Sequence, residues 1–511
     1  MLKRFIERMK EPGSRRVFAA IVGGKMLGAL ILIGGIAGVT WYFGGEAHAD
    51  TGAPTPTAAD LINPLNTMWT LLAAFLVFFM QAGFMMLEAG FSRTRETVNI
   101  LLEGIVDTCL CGLLFWAFGF GFMFGSGNKL IGTEYFFLHG APATYGTTGV
   151  PMLAFFLFQF AFADTCSTIT SGAMVGRTGF VGDLLYSLGV SGFIYPIIGH
   201  WAWGPDGWLN TISPAAFHDF AGSTVVHTIG GFVALAGAIA LGPRLGRKFK
   251  RDGGAPPPGH NMTLAAVGGV ILWFGWYGFN PGSTLSAMDL DGCARVATNT
   301  TLAACAAGLS ALFFVYPRHK VWDAGMTING FLAGLVAITC PCYWVSPLGS
   351  IVIGAAAGVI VVLGVDLVEW LRVDDPVGAV PVHGICGIFG TLSLGLFATG
   401  EFGAPGPTGA DVSSTVKGLF YGGGWDQLVA QAKGSAAVTL ATFAVAMLLM
   451  YAVKATGTLR VSKQAELEGL DLHEHGGSAY PEQTGTIHGI APVEGKADAV
   501  APVMSVAEAQ T

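Results

Sequence analysis

Charge is what this chain has least of. Only 12% of its 511 residues are Asp, Glu, Lys or Arg, about half the roughly 25% of a water-soluble domain. The formal net charge is −7, and no basic block is present of the kind that holds nucleic acid, so nucleic acid is excluded as a partner. The eight cysteines lie in or beside apolar runs. Cys340-Pro-Cys342 has no companion pair at metal-ligand spacing, so buried apolar packing accounts for them and no metal or cofactor is expected. A phosphate-cradling glycine loop and a nucleophile beside a base are also missing, which leaves little room for a membrane enzyme that uses histidine as acid and base.

Apolar residues fill the space, at 52%, with 75 glycines and 36 phenylalanines. Low charge with long apolar runs makes lipid the solvent, and abundant glycine suits close helix packing within it. Residues 66–90, 97–124, 150–175, 179–203, 219–242, 262–280, 293–316, 326–344, 347–371, 379–399 and 435–457 are each close to the roughly 20 residues that cross a bilayer. The fold class expected is an all-α polytopic membrane protein of about eleven helices, with residues 66–458 as one membrane domain. Residues 1–49 look like a signal peptide, with Lys3, Arg4, Arg15 and Arg16 before an apolar run and Ala47-His-Ala49 at its end. An uncleaved leader helix is the rival reading, because the run is long and Lys25 interrupts it. Residues 50–65 read as an extracytoplasmic tether, 459–480 as a tail with a short helix or turn, and 481–511 as a disordered extension.

Basic residues set the orientation. Arg93, Arg95, Arg177, Arg244, Arg247, Lys248, Lys250, Arg251, Arg318, Lys320 and Arg372 fall on one alternate set of connections, against Lys129, Arg295, Lys417 and Lys433 on the other. The positive-inside rule makes the first set cytoplasmic, so the mature N-terminus is outside and the C-terminus inside.

Two histidines stand out in apolar surroundings. Asp219-Phe-Ala-Gly-Ser223-Thr-Val-Val-His227 opens the fifth run; read as a helix, Asp219, Ser223 and His227 share one face. Ser223 reads as a small packing residue, and Asp219, about 12 Å along the rise from His227, is too far to partner it. His383, in Pro381-Val-His383-Gly-Ile-Cys-Gly387, occupies the tenth run. Matched positions in the fifth and tenth segments are what two inverted five-helix halves would give, with one helix left over. A single histidine would read as a satisfied core residue; two matched ones point to a pathway, where a pair sharing one proton can relay it. Phe158 and Phe162 lie one turn apart, as do Trp276 and Phe279 nearly so, and with Trp203 they could bind a cation by its ring faces. Spacing alone does not decide it: in a chain so rich in Phe most rings face lipid or fill the core, and Trp203 also reads as an interface anchor.

Motifs in order then make the chain recognisable. Gly83-Phe-Met-Met-Leu-Glu-Ala-Gly90 with Thr97-Val-Asn-Ile-Leu-Leu102, the 158–162 block, residues 219–227, Gly275-Trp-Tyr-Gly-Phe-Asn-Pro-Gly-Ser283, Val373-Asp-Asp-Pro376 leading to His383, and Glu468-Gly-Leu-Asp471 with Ala479-Tyr480 together resemble the Amt/Mep/Rh ammonium transporter family, in its Amt branch. The resemblance runs from about residue 66 to 480. It implies that Trp203, Ser283 and Phe162 recruit ammonium, with Phe158 nearby, and that Phe162 and Phe279 gate the pore. His227 and His383 would be twin pore histidines with Trp276 beside them, and Asp219 a structural support of the outer site. It also implies a homotrimer in a bacterial inner membrane, and a docking surface for a P-II-type nitrogen-signalling protein around Gly469, Asp471 and residues 244–251. A Rh-like facilitator of neutral NH3 or CO2, or an ammonium sensor acting through a partner, are the alternatives. One departure is Gly176 before Arg177, where many relatives carry Glu, which puts a cytoplasmic ion pair in doubt.

Overall fold

The computed structural model describes residues 58–146, 148–403 and 415–481; the proposed leader, most of the tether and the extension after residue 481 lie outside the described residues. From Asp60 onward the described chain is one compact unit. Its first half contains α1 (Ile62–Phe91), α2 (Thr97–Leu114, a π turn at Phe115–Gly119, then Phe120–Phe124) and α3 (Met152–Gly172). It continues with α4 (Phe180–Gly189, a π turn at Val190–Ile194, then Tyr195–Trp203) and α5 (a π turn at Ser223–Thr228, then Ile229–Leu241). The second half contains α6 (Met262–Phe279), α7 (Leu290–His319), α8 (Ala324–Thr339), α9 (Pro347–Trp370) and α10 (a π turn at Val380–Ile385, then Cys386–Phe397). The extra helix is α11 (Asp426–Ala455), followed by the short α12 (Lys463–Glu468) and α13 (Leu470–His475). Among the described residues ten helices are long and apolar enough to cross a membrane, and α8 is the shorter apolar eleventh. Helix α1 already begins at Ile62, so the expected tether is four residues too long at its far end.

Glycine sets how closely the halves meet. α1 and α6 form the most extensive helix pair, and they touch backbone to backbone. A Cβ on Gly268 would come 2.4 Å from the Leu87 nitrogen, and one on Gly90 would come 2.4 Å from that of Ala265. The same holds where α5 crosses α10, since a Cβ on Gly231 would lie 2.2 Å from the Gly384 nitrogen. Without a hydrophobic drive between helices in lipid, such close contact supplies the packing. The α5–α10 crossing also lies beside His227 and His383 in sequence, so the close packing and these two histidines share one place.

Both of these helices start in the same way, and here the structure corrects the sequence reading. Asp219 is not on the α5 helix. Gly222 has φ +110° and the helix begins at Ser223 as a π turn. The Asp219 carboxylate caps that start, accepting from the nitrogens of Gly222 (3.1 Å), Thr224 (2.9 Å) and Val225 (2.9 Å). Asp375 does the same for α10, accepting from Gly378 (2.9 Å), Ala379 (3.1 Å) and Val380 (2.8 Å), with Gly378 at φ +85°. The pattern Asp-x-x-Gly-x-x-x-x-His therefore occurs twice, at 219–227 and 375–383. Three donors would be orphaned at each helix start without it. Ser223 is likewise more than a packing residue: its Oγ donates to the Val336 carbonyl (2.7 Å) and accepts from the Cys340 nitrogen (2.7 Å), which ties α5 to the end of α8.

Candidate functional site

Aromatic and imidazole rings form a column through the middle of the unit. At one end Trp203 meets Phe162 edge-on, with centroids 6.0 Å apart. Phe162 stacks on Phe279 at 4.0 Å and 19°, and Phe158 packs behind it at 4.6 Å. Phe279 then lies 5.3 Å from the His227 ring, which stacks on Trp276 at 5.1 Å. His227 and His383 follow, ring centroids 5.2 Å apart, with their Nδ1 atoms 3.2 Å from one another. All of these residues are buried. Trp203 is thus not an exposed interface anchor.

The hydrogen bonds fix what each group can offer. Two imidazole nitrogens facing one another at 3.2 Å need one proton between them, so one ring donates and its mate accepts. His227 Nε2 is buried and has no hydrogen-bond partner among the described residues, which leaves it available to a guest in the column. Trp276 is held by its indole N–H donating to Thr339 Oγ1 at 2.9 Å, so the ring that backs His227 cannot rotate freely. Trp203 Nε1 donates to the backbone carbonyl of Asp219 (2.8 Å). Ser283, in the short 3-10 turn Pro281–Thr284 after α6, donates to the Phe279 carbonyl at 2.8 Å, so what its hydroxyl has left to offer is acceptor lone pairs.

Each residue singled out from the sequence therefore has a place. Trp203, Phe162, Phe158, Phe279, Trp276, His227 and His383 come together, while Asp219 stands behind the column as the cap of α5. Sequence reasoning missed Asp375 as its mate and Thr339 as the holder of Trp276. The first had a signal, the repeated Asp-to-Gly-to-His spacing, masked by Asp374 next to it. On the far side of His383 a small cavity of about 20 Å³ is lined by Phe84, Leu87, Glu88 and Asn329 among others.

On the face that carries the basic loops, Asp374 receives Arg244 at 2.8 Å and Arg247 at 3.3 Å. Burial alone would raise the Asp374 carboxyl, but hydrogen bonding and charge from Arg244 prevail and hold it well below the usual carboxylate range. Arg177 is held by carbonyls, its Nη2 donating to Asp374 O at 2.6 Å and its Nε to Gly242 O at 3.3 Å. A side chain on Gly176 would begin 2.8 Å from the Glu96 carboxylate, so Glu96, paired with Arg93, occupies the space where the expected acid would sit.

Residues 68–480 match the family model described as the Ammonium Transporter Family. The chain belongs to the ammonium transporter family. It is 43% identical over 446 residues to ammonium transporter Amt2 of Archaeoglobus fulgidus, covering 84% of this chain and 92% of that one. A putative ammonium transporter of Synechocystis is 41% identical over 446 residues, 86% and 94% of the two chains. Among solved structures, a sensor Amt protein superposes with a TM-score of 0.74 at 37% identity, over 82% of this chain and all of that one. Candida albicans Mep2 superposes with a TM-score of 0.71 at 28% identity, over 83% and 92%. The ammonium transporter fold, polytopic and all-α, is thereby shown for this chain, and both sequence relatives carry the name of transporters.

Proposed function

We propose that this chain moves ammonium across a bacterial inner membrane through one pore per subunit, along the ring column. The observation that carries this reading is the unbroken stack from Phe162 and Phe279 to His227 and His383. Trp203, Phe162 and Ser283 recruit the cation, two by ring faces and one by a hydroxyl acceptor, with Phe158 supporting. Phe162 and Phe279 close the way below. Burying a bare cation in apolar protein exceeds what cation–π contacts of about 0.5–2 kcal/mol return, so ammonium gives up a proton at the gate. Neutral NH3 then crosses, hydrogen-bonding the histidine pair. K+ has no proton to give and stops there. A facilitator of neutral gas would have no use for the recruiting groups Trp203 and Ser283, which is the reason to prefer transport.

Proteoliposomes on a solid-supported membrane test it. A transient current with ammonium, none with K+, and loss of it in His227→Ala/His383→Ala are expected; equal currents with K+ would sink the proposal. The similarity to a sensor Amt protein favours a second role, ammonium-dependent signalling through a partner. The docking surface for it is the inner face around Gly469, Asp471 and residues 244–251, suited to a P-II-type protein. Truncation after Arg460 should abolish capture of such a protein by membranes. The family assignment also supports a homotrimer, which native mass spectrometry would show as three chains per particle, with the basic loops facing the cytoplasm.

A further inference from the structure

One fully buried histidine stands outside the ring column. His200 lies in the last turn of α4, three residues before Trp203. Both of its ring nitrogens face backbone oxygens: Nδ1 lies 2.9 Å from the Met123 carbonyl and Nε2 2.8 Å from that of Asn128. A carbonyl oxygen can only accept. A neutral imidazole has one N–H and one bare lone pair, so it satisfies one of these oxygens and presses its lone pair against the other. The imidazolium has an N–H for each. The two contacts together therefore describe a ring that holds both protons and a positive charge.

The surroundings favour that charge. His200 sits at the carboxyl end of a helix, where the backbone dipole is negative. The chain that leaves α2 turns further carbonyls to the same place: Lys129 O accepts from the Trp208 nitrogen at 3.2 Å and Leu130 O from the Trp201 indole at 3.0 Å. Hydrogen bonds from an ionised donor are also the stronger kind. The ionisable groups nearby are otherwise engaged or solvent-facing. Asp206, just beyond α4, accepts from the Gly127 nitrogen at 3.0 Å, and Asp219 caps α5; Lys129 and Glu134 are exposed. None of them forms an ion pair with His200 among the described residues, so carbonyl oxygens alone answer the charge. The place is also shaped to the ring, since a Cβ on Gly204 would lie 2.2 Å from His200 Nδ1.

The last turn of α4 is thereby held from two sides. His200 grips the end of α2 and the chain after it, while Trp203 donates to the Asp219 carbonyl ahead of α5. One helical turn separates the two grips, so a shift at His200 moves the indole that meets Phe162. We propose that His200, as an imidazolium, is a positioning residue of the outer site, which rests on the ammonium reading above. It clamps residues 123–128 to the end of α4 and so sets Trp203 where ammonium is recruited. It acts through Trp203 and not on the ion.

The test uses the full-length protein in proteoliposomes. ¹⁵N NMR of histidine-labelled protein should show a proton on both ring nitrogens of His200, its signal identified by loss in His200→Gln or by displacement in Gly204→Ala. A bare ring nitrogen overturns the imidazolium and the proposal with it. Ammonium currents give the second reading. His200→Gln removes the two-point donor, and Gly204→Ala displaces the ring while keeping its chemistry. Each should raise the half-saturating ammonium concentration by about tenfold, as loss of one charge-assisted hydrogen bond would, with the maximal current kept. Loss of folded protein alone would lower the maximal current and leave half-saturation where it was. Unchanged half-saturation in both variants overturns the positioning role. Should His200→Gln fail to fold, Gly204→Ala, which adds one methyl group, decides the outcome. A wild type without ammonium current is a different result: it overturns the transport reading itself, and the role given to His200 falls with it.

Discussion

At the scale of single residues, what distinguishes the site is how few freedoms its side chains keep. The twin histidines are fixed by one another at Nδ1, and His227 is backed by a tryptophan whose own N–H is tied to Thr339. Replacing Thr339 by Val keeps the volume and orphans the buried Trp276 N–H. The expected penalty is about 1–3 kcal/mol, read as a lowered unfolding temperature in detergent together with slower ammonium uptake; an unchanged melting curve would show that Trp276 finds another acceptor. The two histidines stood out in the chain, because histidine in an apolar run has few uses; the aromatics did not, since their spacing also suits lipid contact or core packing and only the family resemblance singled them out. Thr339 was not legible, since a threonine in an apolar helix reads as filler until its distant partner, 63 residues away, is known.

Elements show where periodicity misleads. Helical spacing put Asp219, Ser223 and His227 on one face, but α5 starts with a π turn after a left-handed glycine, and a wider turn shifts every such register. The eleven apolar stretches were legible because hydropathy needs no register; the helix starts were not, because they depend on which acid caps which nitrogens. Of the adjacent pair Asp374 and Asp375, the first binds Arg244 across 130 residues and the second caps α10, a division only the fold makes. Two expectations follow. Asp375→Asn leaves a single amide oxygen for three backbone donors and should cost about 1–3 kcal/mol, as should its mate Asp219→Asn, measured by thermal unfolding. Gly378→Ala forces a side chain into a left-handed backbone position with Asn329 Nδ2 2.8 Å from the new Cβ, for about 1–2 kcal/mol in backbone strain alone; unaltered stability would contradict the assigned φ.

For the whole molecule, the C-terminal segment ties the basic loops together. Arg460 donates to the carbonyls of Leu241 (2.7 Å) and Pro243 (2.8 Å) and pairs with Glu466 at 2.9 Å. Asp471 accepts from the Asn99 nitrogen at 3.0 Å, His475 bonds the Asn99 side chain at 2.8 Å and packs edge-on against Phe180. Tyr480 meets His260 at 3.1 Å. A short helix or turn in this tail was legible from its composition, but its landing places were not, because each partner lies hundreds of residues upstream. The docking has a pH dependence whose sign is fixed. Burial lowers the His475 pKa below its ordinary value, with Asp471 and Glu474 opposing from the same helix. A depressed histidine favours the docked state while neutral, so docking is complete above about pH 6.5, the free value, and is progressively lost as pH falls below it. Hydrogen exchange of residues 463–480 should therefore be slow at pH 7.5 and faster at pH 5.5 than intrinsic chemistry requires, and His475→Gln should flatten the difference. Equal protection at both pH values would mean that His475 does not sense its burial, and that the other contacts of the tail hold it.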